Sequence, residues 1–282
     1  MKKILLGLGA IAAVLVVMPM FAAFEAHVVN VTATIENALS VPFPDPIKFG
    51  TVFPQEKLEE HFRVNLSASF LDANQTRVDT VNYFIRQKPK CGLTWWTNEN
   101  NGQVNHLDYT TTRTGHVVVN PSSTEGYDID CGERPTTVDT SVPADATWGP
   151  LPNLCPYISK HPLHANGDDD SVNDGSLDSF HQPFEIVNGE IDWNDVPGTM
   201  NKIPGPNSIY DPQDKWIIDL AVPCFGGYCA QDWESFVNGI NPEANPTEYT
   251  QPIENEHKVF GCDLWFEVDG VFKASTTIPT TN

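Results

Sequence analysis

The N-terminal part of the chain carries the feature that most constrains its fold, an alternating segment over residues 22–35. Apolar side chains occupy every second position from residue 29, and polar side chains lie between them. The apolar set is Val29, Val31, Ala33 and Ile35. Period-two alternation rich in β-branched residues predicts a half-buried β-strand. This strand must join a sheet, either in its own subunit or in a neighbouring copy.

A hydrophobic leader precedes the strand. Two lysines open the leader, an apolar run follows them, and small residues close it at Ala22 and Ala23. This order predicts a secretory signal peptide over residues 1–22. A retained membrane anchor is the alternative, although Pro19 interrupts the apolar run. We therefore expect the mature protein, residues 23–282, to be secreted or at the cell surface, without a membrane span.

Composition narrows the range of partners and folds. The 282-residue chain has a formal net charge of −21 at pH 7, which argues against nucleic acid and anionic membranes as partners. This negative charge favours divalent cations or basic proteins as partners; the alternative is that it only keeps the protein soluble. The 23 prolines and 19 glycines favour many short strands and long loops over helices.

An even number of cysteines behind a signal peptide predicts disulfides. The six are Cys91, Cys131, Cys155, Cys224, Cys229 and Cys262. The sequence does not choose among their pairings, although Cys224 and Cys229 enclose only F-G-G-Y and are candidates for a local loop. A zinc site is the alternative, but paired C-x-x-C spacing is absent.

Two more alternating segments lie in the first ninety residues. In one, apolar side chains recur at every second position from Phe62 to Phe70. In the other, Val81, Tyr83 and Ile85 share one face, and the pattern ends near residue 87. Alternating strands joined by polar turns predict an all-β antiparallel sandwich.

Residues 1–87 combine four features: a leader running into A-A-F-E, an alternating strand, the segment F-G-T-V-F-P-Q-E, and a second long alternating strand. This combination resembles the TasA and camelysin family, which are secreted bacterial and archaeal jelly-roll proteins. The resemblance implies a jelly roll that forms extracellular filaments by donor-strand complementation, with copies of itself as head-to-tail partners. Six cysteines and a long middle region distinguish this chain from the better-known members of that family.

Elementary chemistry makes the implied assembly reasonable. An added strand is held by main-chain hydrogen bonds while alternate side chains fill pockets, here those of the apolar set from Val29 to Ile35. A head-to-tail contact that does not close on itself produces filaments. The alternative is that the same strand pairs within its own fold and the protein is a monomer.

The middle region, residues 91–214, is predicted to be a loop-rich insertion. Trp95 and Trp96 lie beside several asparagines, so they are either buried core residues or a surface that stacks on sugars. A cluster of oxygen donors follows, and calcium prefers such ligands in flexible loops. Its members are Asp168, Asp170, Asn173, Asp174 and Asp178. Weak calcium binding and a solvated acidic loop both remain open, and calcium is the only cofactor suggested.

The C-terminal part predicts two strands and one short helix. Residues 216–222 and 260–268 alternate, and Cys262 in the second strand would tie it to a loop or a neighbouring sheet. Residues 230–239 have one apolar side and end at Gly239, which predicts the helix.

We therefore expect a single jelly-roll or β-sandwich domain with disulfide-tied loop insertions and at most short helices. The expected function is that of a secreted structural subunit of an extracellular filament or biofilm matrix. A monomeric binding domain for carbohydrate or calcium is the alternative. We do not expect an enzyme: a metallopeptidase is suggested only by the family resemblance, and the sequence has no H-E-x-x-H motif.

Overall fold

The computed structural model describes residues 35–42, 47–100, 102–136, 138, 140–163, 174–203 and 210–273. Within these ranges the sheets are antiparallel and the only α-helices are two short ones, which confirms the expected all-β class. The strands are β1 (Leu39–Ser40), β2 (Lys57–Leu66), β3 (Thr80–Glu99), β4 (Gly102–Leu107), β5 (Arg113–Thr114), β6 (His116–Val119), β7 (Tyr127–Asp130), β8 (Thr147–Pro150), β9 (His161–Pro162), β10 (Phe184–Val187), β11 (Glu190–Trp193), β12 (Val196–Asn201), β13 (Gln213–Ala221) and β14 (Cys262–Phe272). The helices are α1 (Ala68–Leu71) and α2 (Trp233–Asn238).

Two antiparallel sheets build the sandwich. The first has the strand order β1-β2-β13-β9, and the core of the second has the order β12-β3-β14. In the first sheet, β13 pairs with β2 from Gln213 opposite Asn65 to Ala221 opposite Lys57. The β6–β7 and β10–β11 hairpins form two small separate sheets.

Side chains at alternating positions fill the space between the sheets. The Phe62 ring of β2 packs edge-on against the Phe266 ring of β14, with 5.3 Å between ring centroids. The indole N–H of Trp216 in β13 donates to the Tyr83 hydroxyl of β3 at 2.8 Å. The same hydroxyl donates to Asp214 Oδ2 at 2.5 Å. Strand β2 therefore faces β14, and β13 faces β3.

Strand β3 is 20 residues long, and only its first half belongs to the sandwich. From Thr80 to Pro89 it pairs with β12 and β14, whereas its second half pairs with β4, β5 and β8. The sequence pattern predicts an end near residue 87, where K-P-K interrupts the alternation. This prediction is wrong because Pro89 still accepts a hydrogen bond, from the Gly115 N–H at 2.7 Å, and the strand continues.

Two further expectations need correction. Strand β2 ends at Leu66, and the last members of the predicted alternation, Ala68 and Phe70, lie in α1. The Ser67 hydroxyl caps this helix by accepting the Phe70 N–H at 3.1 Å, which fixes the helical turn. Residues 91–214 are also richer in strands than predicted, since they contain the second half of β3 and all of β4 to β12.

The disulfide prediction is confirmed for all six cysteines. Cys224 pairs with Cys229 in the local loop, and Cys91 pairs with Cys131. Cys262 at the start of β14 pairs with Cys155 in the 3₁₀ turn Cys155–Tyr157, a separation of 107 residues along the chain. The last pair ties an outer strand of the second sheet to a loop, as its position predicts.

Candidate functional site

The first sheet has an open edge at β2. Strand β1 pairs with β2 only at Leu66 and Asn65, and β13 covers the opposite side. The Leu66 N–H points toward β13, where it donates to the Pro212 carbonyl at 2.9 Å. Because backbone groups of successive strand residues point in opposite directions, those of residues 57, 59, 61 and 63 point to the side away from β13. Among the described residues, nothing pairs with them there.

The second sheet has an open edge on the same flank. Strand β14 pairs with β3 on one side, and no described strand pairs with it on the other. The Phe62–Phe266 contact places β14 directly across the sandwich from β2. We call the opening between these two edges the open flank, defined by Lys57–Leu66 on one sheet and Cys262–Phe272 on the other.

The core is incompletely covered along the open flank. Val268 lies opposite Tyr83 and Val271 opposite Val81, so both valines point to the interior face of the second sheet. Their partners Tyr83 and Val81 are fully buried, yet Val268 is 40% and Val271 is 41% exposed. A bulge between Val268 and Gly270 keeps both valines on this inner face. The β14 edge of the second sheet therefore leaves two inward-facing valines half-exposed.

Open edges of this length usually carry protection against pairing with other chains. Strand β14 spans eleven residues and has no proline, and its exposed apolar side chains include Trp265 and Phe272 in addition to the two valines. Its protective devices are the bulge and two exposed carboxylates, Glu267 and Asp269, but the four exposed apolar side chains outnumber these charges. Geometry and composition therefore leave the flank able to accept an extended segment.

The predicted donor residues are only partly described. Val29, Val31 and Ala33 lie outside the described residues, and Ile35, which is described, is almost fully exposed. Their role as an assembly strand stays a prediction. The chain joins the first sheet at β1, where the Ser67 N–H donates to the Ala38 carbonyl at 2.8 Å.

The predicted calcium ligands are also only partly described, since Asp168, Asp170 and Asn173 lie outside the described residues. Asp174 Oδ1 accepts the Thr199 N–H at 2.9 Å, and Asp178 Oδ1 lies 3.4 Å from His161 Nε2. No group of three or more His, Cys, Asp or Glu side chains in the described part of the chain has the arrangement of a metal site. Calcium binding stays a prediction.

A cavity of about 270 Å³ lies on the outer face of the first sheet. Its lining includes Ser159, His161, Asp178, Ser179 and Asp219. These residue types suggest nucleophilic catalysis, but the hydroxyls are directed elsewhere. Ser159 donates to Asp219 Oδ2 and Ser179 to the Asp219 carbonyl, each at 3.2 Å, rather than to the imidazole. The cavity therefore supplies no activated hydroxyl.

A buried polar cluster that the sequence did not indicate lies inside the sandwich. His181 Nε2 lies 2.5 Å from Gln87 Oε1, and His181 Nδ1 lies 2.7 Å from the Asp178 carbonyl. Lys160 is fully buried, and its ammonium has no hydrogen-bond partner in the part of the chain that the structure describes. Burial lowers the pKa of Lys160 to about 7 and, together with the nearby Lys160, lowers that of His181 to about 3. The cluster therefore makes folding stability depend on pH.

Three disulfides are typical of proteins that fold outside the cytosol. In the part of the chain that the structure describes, no helix has the length and apolar character needed to cross a membrane.

Sequence reasoning located the candidate donor strand but not its acceptor, because an open flank depends on the order of strands in space. The alternation from residue 260 to 268 was the available signal, since it identified β14 without revealing that β14 is an edge strand.

Comparisons with protein-family models, with curated proteins and with solved structures find no match. Among the described residues, the open flank is the candidate functional site.

Proposed function

We propose that the protein is a secreted structural subunit that assembles into extracellular filaments, with the N-terminal strand of one copy completing the open flank of the next. The partner is then a second copy of the same chain. The donor segment contributes Val29, Val31, Ala33 and Ile35 as its apolar face. Because donor and acceptor are different surfaces, the contact is head-to-tail and propagates.

The observation that carries this proposal is the half exposure of Val268 and Val271 on the inner face of the second sheet. An added strand would cover both valines, and finishing the burial of each contributes about 1 kcal/mol. Main-chain hydrogen bonds to an edge strand add about 1 kcal/mol each. An alternating segment of the length of residues 29–35 satisfies both requirements.

The test is negative-stain microscopy of mature protein that begins at Ala23, with variants of donor and acceptor. We expect filaments from the unchanged protein and none from Val29→Asp/Val31→Asp or from Val271→Asp, because each places a charge in the new interface. Val187→Asp is the matched control, since Val187 is 43% exposed and lies in the separate β10–β11 sheet. It should assemble normally.

Circular dichroism of each variant separates failure to assemble from failure to fold. Dispersed monomers of the unchanged protein, with a folded spectrum, would contradict the proposal and favour a monomeric binding domain. Filaments that persist in the folded Val271→Asp variant would show that another surface accepts the strand, which also contradicts it.

A further inference from the structure

The second half of β3 and strand β4 form a hairpin beyond the sandwich. The two strands pair from Thr94 opposite Leu107 to Glu99 opposite Gly102. Side chains directly opposite each other share a face, as do those two positions apart on one strand. One face of the hairpin therefore presents Trp96 and Asn98 of β3 beside Asn105 and Gln103 of β4. We call these four residues the amide face.

Trp96 is the exposed centre of the amide face. Its side chain is 41% exposed, and neither its ring nor its indole N–H has a partner among the described residues. Trp95, by contrast, lies on the opposite face and stacks on the His106 ring at 5.5 Å between centroids. Of the two alternatives for this pair, the buried core is wrong, since Trp95 is only half-buried and Trp96 is exposed.

Trp265 is an exposed tryptophan whose ring and indole N–H both have partners. It has a similar exposure, 43%, but the Lys88 ammonium lies 3.7 Å from its ring centroid and its indole N–H donates to Thr114 Oγ1 at 3.0 Å. Among the described residues, Trp96 has neither a cation over its ring nor an acceptor for its indole N–H. A single exposed ring is ordinary on a protein surface; what distinguishes Trp96 is that uncharged amide side chains lie around it on the same face.

The groups around Trp96 are amides without charge. Asn98 and Gln103 are exposed, lie opposite each other, and make no hydrogen bond to any described residue. Asn105 is anchored, because its Oδ1 accepts the Val259 N–H at 3.1 Å. Each free amide offers two N–H donors and a carbonyl acceptor. In a chain with 37 acidic residues, a face without carboxylates or cations is selective for a neutral ligand.

We propose that the amide face binds a neutral polysaccharide. The apolar C–H face of a sugar ring stacks on Trp96, and the hydroxyl groups of that sugar or its neighbour hydrogen-bond to Asn98 and Gln103. Single-stranded nucleic acid also stacks on exposed aromatic rings, but it needs a positively charged groove, and this face carries no cation. The inference is independent of filament assembly, since the hairpin contributes nothing to the open flank.

Affinity electrophoresis in gels that contain galactomannan, laminarin or hydroxyethylcellulose tests the proposal, with alginate as the charged control. The protein used is the Val29→Asp/Val31→Asp form, so that assembly does not alter its mobility. We expect retardation by at least one neutral polysaccharide and none by alginate. Trp96→Ala should weaken binding at least tenfold, and Asn98→Ala/Gln103→Ala should weaken it several-fold.

Trp265→Ala is the matched control and should bind as the parent protein does. The proposal fails if none of the three neutral polysaccharides retards the parent protein. It also fails if folded Trp96→Ala binds equally well, or if Trp265→Ala loses binding to the same extent. Because the parent form cannot donate its strand, these outcomes do not depend on whether the protein forms filaments.

Discussion

Replacing Lys160 by methionine should make the protein more stable at neutral pH. Lys160 is fully buried, and its ammonium has no hydrogen-bond partner among the described residues, so the charged form loses hydration without a hydrogen bond to replace it. Attraction from Asp195 offsets only part of this loss, and the pKa of Lys160 falls from 10.5 to about 7. Methionine keeps a long flexible stem and removes the buried charge.

The magnitude follows from linkage between protonation and folding. The unfolded chain holds the Lys160 proton up to about pH 10.5, whereas the folded chain releases it near pH 7. Between these values the unfolded state binds more protons, so stability rises with pH; the full cost of charging Lys160 applies below pH 7. A shift of this size corresponds to roughly 4 to 5 kcal/mol at about 1.4 kcal/mol per pH unit. The advantage of Lys160→Met should therefore be several kcal/mol at pH 7 and should shrink steadily toward pH 10.

Urea unfolding of the oxidised protein and of Lys160→Met, measured at several pH values from 7 to 9.5, gives the difference in free energy of unfolding directly. The range ends below the point where tyrosines of the unfolded chain ionise. Lys202→Met is the control, because the Lys202 ammonium donates to the carbonyls of Phe70 and Asp72, each at 3.0 Å, and to that of Gln75. Removing it should destabilise the protein.

Two results would refute this reasoning. If Lys160→Met lowers the free energy of unfolding at pH 7, the buried ammonium is compensated. If the difference between the two proteins stays constant from pH 7 to 9.5, Lys160 does not change its protonation on folding in that range.

Three further predictions concern stability. Burial and the nearby Lys160 lower the pKa of His181 from 6.5 to about 3, so this residue is neutral in the folded protein. Its contribution to folding stability is therefore present above pH 6.5 and lost as the pH falls toward 3. In urea unfolding measured over a series of pH values, His181→Gln should reduce the loss of stability at acid pH. Cys155→Ala/Cys262→Ala, which opens a 107-residue loop, should lower the free energy of unfolding by about 5 kcal/mol, and Cys224→Ala/Cys229→Ala should lower it by about 2 kcal/mol. The difference is expected because a longer closed loop restricts the unfolded chain more, and equal losses would contradict that explanation. Gly198→Ala should lower the free energy of unfolding by about 3 kcal/mol or more, because the alanine methyl group would overlap the Tyr83 ring, which Asp214 and Trp216 hold in place. An unchanged melting temperature would mean that the ring moves aside.

The sequence predicts those parts of the fold where local pattern and tertiary structure agree. Strand β13 has alternating apolar side chains that all face the core, and α2 ends at its predicted stop, Gly239. The alternation also continued through Ala68 and Phe70, where a serine cap starts a helical turn that still buries Phe70. A period-two pattern cannot separate these two structures over so few residues.

The sites depend more on strand order than on local pattern. Val268 reads as an ordinary core residue of an alternating strand, and only its place on an edge leaves it half-exposed. Lys160 lies next to His161 in a stretch without clear alternation, so nothing local indicates that it is buried. Trp96 was one of two equivalent tryptophans in the sequence, and the pairing of β3 with β4 decides which of them faces outward.

The most direct test of the central claim is a disulfide trap between donor and acceptor on separate molecules. Mature subunits with Val29→Cys, Val31→Cys or Ala33→Cys are mixed with subunits that carry Val271→Cys, and the mixture is oxidised and examined by mass spectrometry. The account predicts a covalent heterodimer from at least one pair, joined at the two introduced cysteines. It is contradicted if no mixture gives a heterodimer while a single chain carrying both cysteines closes on itself as a monomer, because the strand then completes its own sandwich.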